Sequence, residues 1–186
     1  MKPTGVKLTW DDYVQFPDDG KRHELIDGEH YVTPSPFLRH QAIVRELLLA
    51  IGNYLRANPI GEVFGAPLDV ILSRFDVVEP DLLYVSKERV PDVLKEWVRG
   101  APDLAIEIAS ESTRKRDETI KRALYERAGV LEYWIVDPEI DVVRIYRRKS
   151  DRFERPIELS RGAGDVLTSA ILPGFQLALD AIFRDD

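Results

Sequence analysis

Residues 102–138, PDLAIEIASESTRKRDETIKRALYERAGVLEYWIVDP, restrict the fold more than any other stretch, because their hydrophobic period changes twice. From Asp103 to Ala109 the period is two, with Leu104, Ile106 and Ile108 on one face and Asp103, Ala105, Glu107 and Ala109 on the other. From Ser112 the spacing becomes helical, Gly129 supplies a stop, and Leu131 to Val136 is a second apolar run closed by Asp137-Pro138. A strand, a crossover helix and a strand predict a parallel pair with a right-handed connection. Glu107 is then a carboxylate in mid-strand flanked on its own face by two alanines, a placement that marks either an edge-strand charge or a site. On the helix, at about 100° per residue, Ile120, Leu124 and Ala128 make an apolar stripe, with Lys115, Arg122 and Glu126 opposite. Lys121 falls on the border of that stripe, and Asp117, one turn earlier, can pair with it at i,i+4. The unit therefore brings a glutamate and a lysine toward one place.

The rest of the chain reads as one domain over residues 1–186, with no repeat, linker or low-complexity segment. The absence of cysteine excludes disulfides, thiolate zinc sites and a cysteine nucleophile. No stretch approaches a membrane span and the start has no apolar signal region, so a soluble, cytoplasmic protein is expected. A net charge of -7 argues weakly against a broad nucleic-acid-coating surface but leaves room for a local basic rim. Leu8 to Phe16 has a short helical pattern, and Asp27-Gly28 between alternating residues predicts a hairpin. Ile43, Leu47, Leu48, Ile51 and Leu55 predict a long helix from His40 to Leu55. Gly61 to Ser73 and Val77 to Val85 read as two strands, the second carrying Glu79-Pro80-Asp81. A short helix is expected around Val93 to Val98, a hairpin from Val142 to Arg148 and Phe153 to Leu159, and a closing apolar segment from Ile171 to Phe183.

Pro80-Asp81, followed by Glu107 within DLAIEI, resembles the PD-(D/E)XK nuclease superfamily. HELIDGE, EPDLLYV, APDLAIEIASEST and KRALYERAGVLEYWIVDP together resemble the Uma-two family of putative restriction endonucleases, over roughly Leu8 to Arg148. The resemblance implies an α/β fold with a restriction-endonuclease-like αβββαβ core: a central mixed sheet flanked by helices, with an N-terminal hairpin and a C-terminal β-hairpin added. It also implies metal-binding roles for Asp81 and Glu107, a completing role for Glu24, and a catalytic lysine. The usual lysine position, two residues after the second acid, holds Ala109, and Lys121 of the next helix is the matching residue. Glu111 stands where the family has a proline, a departure expected to alter only a loop.

These residues suit phosphodiester hydrolysis. Paired carboxylates hold a hard divalent ion such as Mg²⁺ or Mn²⁺, the ion acidifies bound water, and a lysine offsets charge in the transition state. The expected function is a Mg²⁺-dependent endonuclease acting on DNA, or on RNA, with Asp81, Glu107, Glu24 and Lys121 as its site and Arg114, Lys115, Arg116, Arg122 and Arg127 as a basic rim. As like charges brought together, Asp81 and Glu107 should repel, raise one carboxyl pKa, and make neutralisation of either one stabilising. The alternative is a catalytically silent module that binds nucleic acid or protein, favoured by the missing lysine at position 109. Asp69 and Asp137 rank below Glu24, His40 reads as a helix-start residue, and His23, His30 and His40 lack zinc spacing. Trp10, Trp97 and Trp134 are expected in the core or at a subunit contact. The apolar closing segment and the tryptophans suggest a homodimer.

Overall fold

A computed structural model describes residues 6–184. A one-turn helix α1 (Trp10–Tyr13) precedes strands β1 (Arg22–Ile26) and β2 (Glu29–Thr33) and the long helix α2 (Leu38–Ala57). Next come β3 (Gly61–Gly65), β4 (Val70–Ser73), β5 (Asp76–Val78), β6 (Leu82–Ser86), the turn-long α3 (Val90–Val93), β7 (Val98–Arg99) and β8 (Leu104–Ile108). The crossover is α4 (Arg114–Arg116), a π-helical turn (Asp117–Lys121) and α5 (Arg122–Ala128), followed by β9 (Glu132–Asp137) and β10 (Val142–Lys149). Strands β11 (Arg152–Phe153), β12 (Ile157–Ser160), β13 (Val166–Thr168) and β14 (Gln176–Ala178) lead to α6 (Leu179–Ile182).

Two mixed sheets carry the fold, in the orders β2-β1-β5-β4-β7 and β11-β10-β9-β8-β6-β3. In the larger sheet β8 and β9 run parallel, Leu104 opposite Glu132, while β6 lies antiparallel on the other side of β8, Leu82 opposite Ile106. The alternation along β8 separates two cores. Leu104, Ile106 and Ile108 pack with Ile43, Leu47, Ile51 and Leu55 of α2, whereas Ala105 and Ala109 face Leu124 and Tyr125 of α5 and Ile26, Val70 and Val78 of the second sheet. Full burial of each large aliphatic side chain contributes about 1.5–3 kcal/mol, which explains why the apolar face of α2 sets its seat. Glu107 shares the face of the two alanines, so it points between the sheets.

The Asp27-Gly28 hairpin forms, with positive φ at both residues (53° and 75°) as a type I′ turn requires. A Cβ on Gly28 would meet Lys7 Cβ at 2.6 Å, so close chain approach also demands glycine there.

Several sequence expectations are corrected. The two strands expected over residues 61–73 and 77–85 are four, broken at Ala66-Pro67 and at Glu79-Pro80-Asp81, and their halves lie in different sheets. The strand expected from Phe153 to Leu159 is likewise two short pieces around Pro156. In each case the proline has no N–H for a ladder, a break that side-chain alternation does not register. The short helix lies at Val90–Val93, with Pro91 in its first turn, and Val98 is in a strand. Leu172, Phe175, Leu179 and Phe183 of the closing segment are buried beside α2, so much of this segment's apolar surface goes into the chain's own core. Trp134 is fully buried, while Trp10 and Trp97 meet edge to face at 5.3 Å.

Candidate active site

The larger sheet places Asp81 and Glu107 side by side, and the crossover helix adds a cation. Asp81 sits just before β6, behind the rigid Pro80, and Glu107 lies in β8, the neighbouring strand. Asp81 is 2% exposed and every acceptor direction it uses is filled from within the fold. Its Oδ1 accepts from the Arg22 guanidinium at 2.7 Å. Its Oδ2 accepts from the Ile108 amide at 2.8 Å and from Nε2 of His40 at 3.1 Å. Burial alone would raise the Asp81 pKa, but the His40 and Arg22 contacts and the Ile108 amide outweigh it and hold this carboxyl below the usual range.

Glu107 is 3% exposed. Its Oε1 accepts from Lys121 Nζ at 2.8 Å and from the Tyr125 hydroxyl at 2.8 Å. Burial is the main force that pushes its pKa up to about 8, against the pull of Lys121 and with smaller contributions from Asp117, Asp81 and Glu24. One carboxyl of the pair is thus raised as expected, although desolvation exceeds repulsion as the cause. Glu24, on β1, is 1% exposed. Its Oε1 accepts from Lys121 Nζ at 2.7 Å and from the Glu79 amide at 3.0 Å, while Oε2 has no hydrogen bond and lies 3.6 Å from the Arg116 guanidinium. Glu24 therefore holds the lysine, and it lines the same cavity as Asp81.

Lys121 is buried and bridges two strands of different sheets through Glu24 and Glu107. Burial works against its charge, yet Glu107, Glu24 and Asp117 together raise its pKa, so the ammonium stays charged. The π turn orients it. One extra residue in the turn rotates the helix beyond it, so Asp117, Lys121 and Tyr125 point inward while Ile120, expected in the apolar stripe, is 39% exposed. Asp117 is 1% exposed with one carboxylate oxygen unpaired, and burial pushes its pKa up to about 6. These side chains line a cavity of about 60 Å³, room for a few waters, rimmed by residues 33–37 and by Ser110, Ser112 and Thr113.

The basic rim is largely engaged elsewhere. Arg114 pairs with Asp137 and Glu139, Arg127 with Asp76, and Arg116 donates to Thr33 at 2.6 Å and lies over the Tyr31 ring. Arg122 donates to the Glu118 carbonyl, and Lys115 is exposed. Asp137, fully buried, serves Arg114, and Asp69 accepts the Tyr13 hydroxyl at 2.6 Å; neither lines this cavity. His23 and His30 stack on each other away from it.

Sequence reasoning missed Arg22, His40, Asp117 and Tyr125 as members of the site. Two signals were available. Arg22 lies two residues from Glu24 on a strand and so shares its face, and Asp117, Lys121 and Tyr125 recur every four residues. Nothing local distinguishes His40, whose role comes from the 41-residue separation it closes to Asp81.

Among the described residues no group of three or more His, Asp or Glu side chains is arranged to hold a metal. The donor set is nevertheless suited to a hard ion. Mg²⁺ uses one or two carboxylates with water and substrate oxygens, and Asp81 with Glu107 supplies two. Four buried carboxylates, Asp81, Glu107, Glu24 and Asp117, and the cations Arg22, Arg116 and Lys121 line the cavity, and burial disfavours the charged form of Glu107 and Asp117.

Residues 10–180 match the model of the Uma2 family, described as putative restriction endonuclease. Among solved structures, a putative nuclease belonging to DUF820 from Anabaena variabilis aligns with a TM-score of 0.80 at 20% identity, over 95% of this chain and 97% of that one. The type IIG restriction endonuclease BpuSI aligns with a TM-score of 0.42 at 15% identity, over 78% of this chain and 15% of that one. No curated protein matches.

Proposed function

The chain belongs to the Uma2 family of putative restriction endonucleases, and on that premise we propose that it is a Mg²⁺-dependent endonuclease that hydrolyses phosphodiester bonds in DNA through a restriction-endonuclease-like αβββαβ core. The observation that carries this reading is the convergence, in one small cavity, of Asp81, Glu107 and a fully buried lysine delivered from the crossover helix. A buried ammonium held between two carboxylates costs desolvation that a purely structural site avoids with apolar side chains, so its presence points to chemistry.

Asp81 and Glu107 would hold the ion, which when bound would acidify water and neutralise charge on the phosphoryl group. The chain's own residues have distinct tasks. Arg22 and His40 fix the Asp81 carboxylate in one orientation. Tyr125 and Lys121 do the same for Glu107, and Glu24 keeps Lys121 from retreating along its own helix. The Lys121 ammonium, which lines the cavity, would offset the negative charge that grows on phosphoryl oxygens as the attacking oxygen bonds to phosphorus. Arg116 at the rim steers the phosphodiester inward. Cutting both strands requires two such sites, which a homodimer supplies.

The test is supercoiled plasmid incubated with protein and Mg²⁺ or Mn²⁺, and again with chelator; nicked or linear product that chelator abolishes is expected. No product with either ion, while plasmid is still retained in a gel-shift, would favour the second reading, a catalytically silent binding module. One feature favours that alternative: Arg22 and His40 already satisfy Asp81, and Lys121 already pairs with Glu107. RNA substituted for plasmid tests the nucleic-acid class. A light-scattering mass near the 21.3 kDa of one chain at micromolar protein concentration would overturn the homodimer and leave a single-strand nicking enzyme.

A further inference from the structure

On the other side of β5 and β1 lies an open cleft of about 430 Å³ that shares no lining residue with the catalytic cavity. Glu79 lines it. This residue is 7% exposed, and its carboxylate makes no hydrogen bond or ion pair among the described residues, although its amide is fixed by Glu24 at 3.0 Å. Asp69 lines the same cleft, with one oxygen accepting the Tyr13 hydroxyl at 2.6 Å. Neither cation of the cleft lining answers these carboxylates: Lys21 pairs with Asp19 at 3.1 Å, and both ring nitrogens of His23 are taken by Asp19 and His30. Arg22 lies close enough to pull on Glu79, but its guanidinium is bonded to Asp81 at 2.7 Å. Burial pushes the Glu79 carboxyl up to about 7, so near neutral pH it is only partly charged, and a cation brought by a ligand would favour its charged form.

The walls define what that ligand looks like. Tyr13, Phe16 and Trp97 line the cleft, with the Tyr13 and Phe16 rings 5.5 Å apart. Aromatic faces attract a cation through the ring quadrupole, and carboxylates take its N–H donors, so together they complement an ammonium or guanidinium on an apolar stem. A metal ion would leave the three aromatic walls without a role, and a neutral nucleobase would offer the two carboxylates no counter-charge. We propose that this cleft binds an organic cation, a primary ammonium or guanidinium group, with Glu79 and Asp69 as counter-ions and Tyr13, Phe16 and Trp97 as the cage. The inference is independent of the nuclease reading, since nothing in it involves Asp81, Glu107 or Lys121.

The test is titration of the full chain, in chelator, with agmatine and separately with butylammonium, followed by calorimetry and tryptophan fluorescence. Saturable one-site binding is expected. Glu79→Gln should weaken it at least about tenfold, the loss of one charge-assisted contact, and Phe16→Leu by less, while N-butylurea, similar in shape but uncharged, should not bind. Should Glu79→Gln fail to fold, Asp69→Asn tests the same point. A Gly-Arg-Gly peptide that binds as tightly as agmatine would place the cation on a protein side chain, and binding of agmatine alone would mark a free small cation; both support the proposal. No saturable binding of either amine, equal affinity in both acid variants, or guanosine binding as well as agmatine would overturn it.

Discussion

At the scale of single residues, the structure changes which substitutions separate stability from chemistry. Repulsion between Asp81 and Glu107 suggested that neutralising either would stabilise the chain, but Asp81 is held by Arg22, His40 and the Ile108 amide. Asp81→Asn should therefore destabilise the chain in chelator, by about 3–5 kcal/mol in urea unfolding, because it strands a largely buried guanidinium. An unchanged midpoint would show that Arg22 finds solvent at no cost. Lys121→Ala removes the shared partner of Glu24 and Glu107 and should cost a similar amount as well as cleavage, whereas Lys115→Ala, on the exposed side, should stay within about 0.5 kcal/mol. Adding Glu107→Gln to Lys121→Ala should restore part of the loss, since one of the stranded charges is gone; strict additivity of the two changes would mean that the pair does not interact. Glu107 was legible from the two-residue period of β8, and Lys121 was placed at the border of the buried stripe although the π turn that holds it departs from ideal helical spacing. Arg22 and His40 were not legible, because their partner Asp81 is 59 and 41 residues away.

At the scale of elements, the crossover helix is the informative one. Its π turn, Asp117–Lys121, is the device that points Lys121 and Tyr125 at Glu107, and ideal helical geometry is what misplaced Ile120 in the buried stripe. Deleting the exposed Thr119 should convert the turn to α-helical spacing and swing Lys121 by about 100° relative to Asp117. The expected result is a folded protein by circular dichroism that no longer nicks plasmid; full activity would mean that the lysine reaches the site without the π turn. The same helix ends as its sequence predicts. Gly129 has φ of 96° and open space around its α carbon, so Gly129→Ala should cost only the left-handed conformation, about 1–2 kcal/mol by urea unfolding.

For the whole molecule, the buried acids make stability depend on pH. Burial first, with neighbouring carboxylates adding to it, pushes Glu79 up to about 7, Glu107 to about 8 and Asp117 to about 6. Their folded pKa values exceed the unfolded ones, so the folded chain binds more protons across this range, and the stability they contribute is complete below the unfolded values and lost as pH rises through 6, 7 and 8. Asp81 is shifted the other way, and its contribution is lost only as pH falls below the ordinary carboxylate range. The urea midpoint in chelator should thus fall from pH 5 to pH 8; a rising midpoint would mean that ion pairing with Lys121, rather than burial, governs these acids. Mg²⁺ competes with protons for carboxylates, so its thermal stabilisation should grow over the same interval.

Features set by local backbone geometry were already present in the order of the residues. The two-residue period of β8 assigned Leu104, Ile106 and Ile108 to one core and Ala105 and Ala109 to the other, Asp27-Gly28 specified a hairpin, and Gly129 ended a helix. All of these depend on neighbours within a few positions, so a period or a dipeptide carries them. Long-range packing, by contrast, settled where strands break into separate sheets, that the closing segment packs into the chain's own core, and that Asp81 is paired with Arg22 and His40. Each of these depends on which charge or apolar face meets another once distant segments come together, and in a buried site desolvation makes the identity of that partner count for more than the residue's own type.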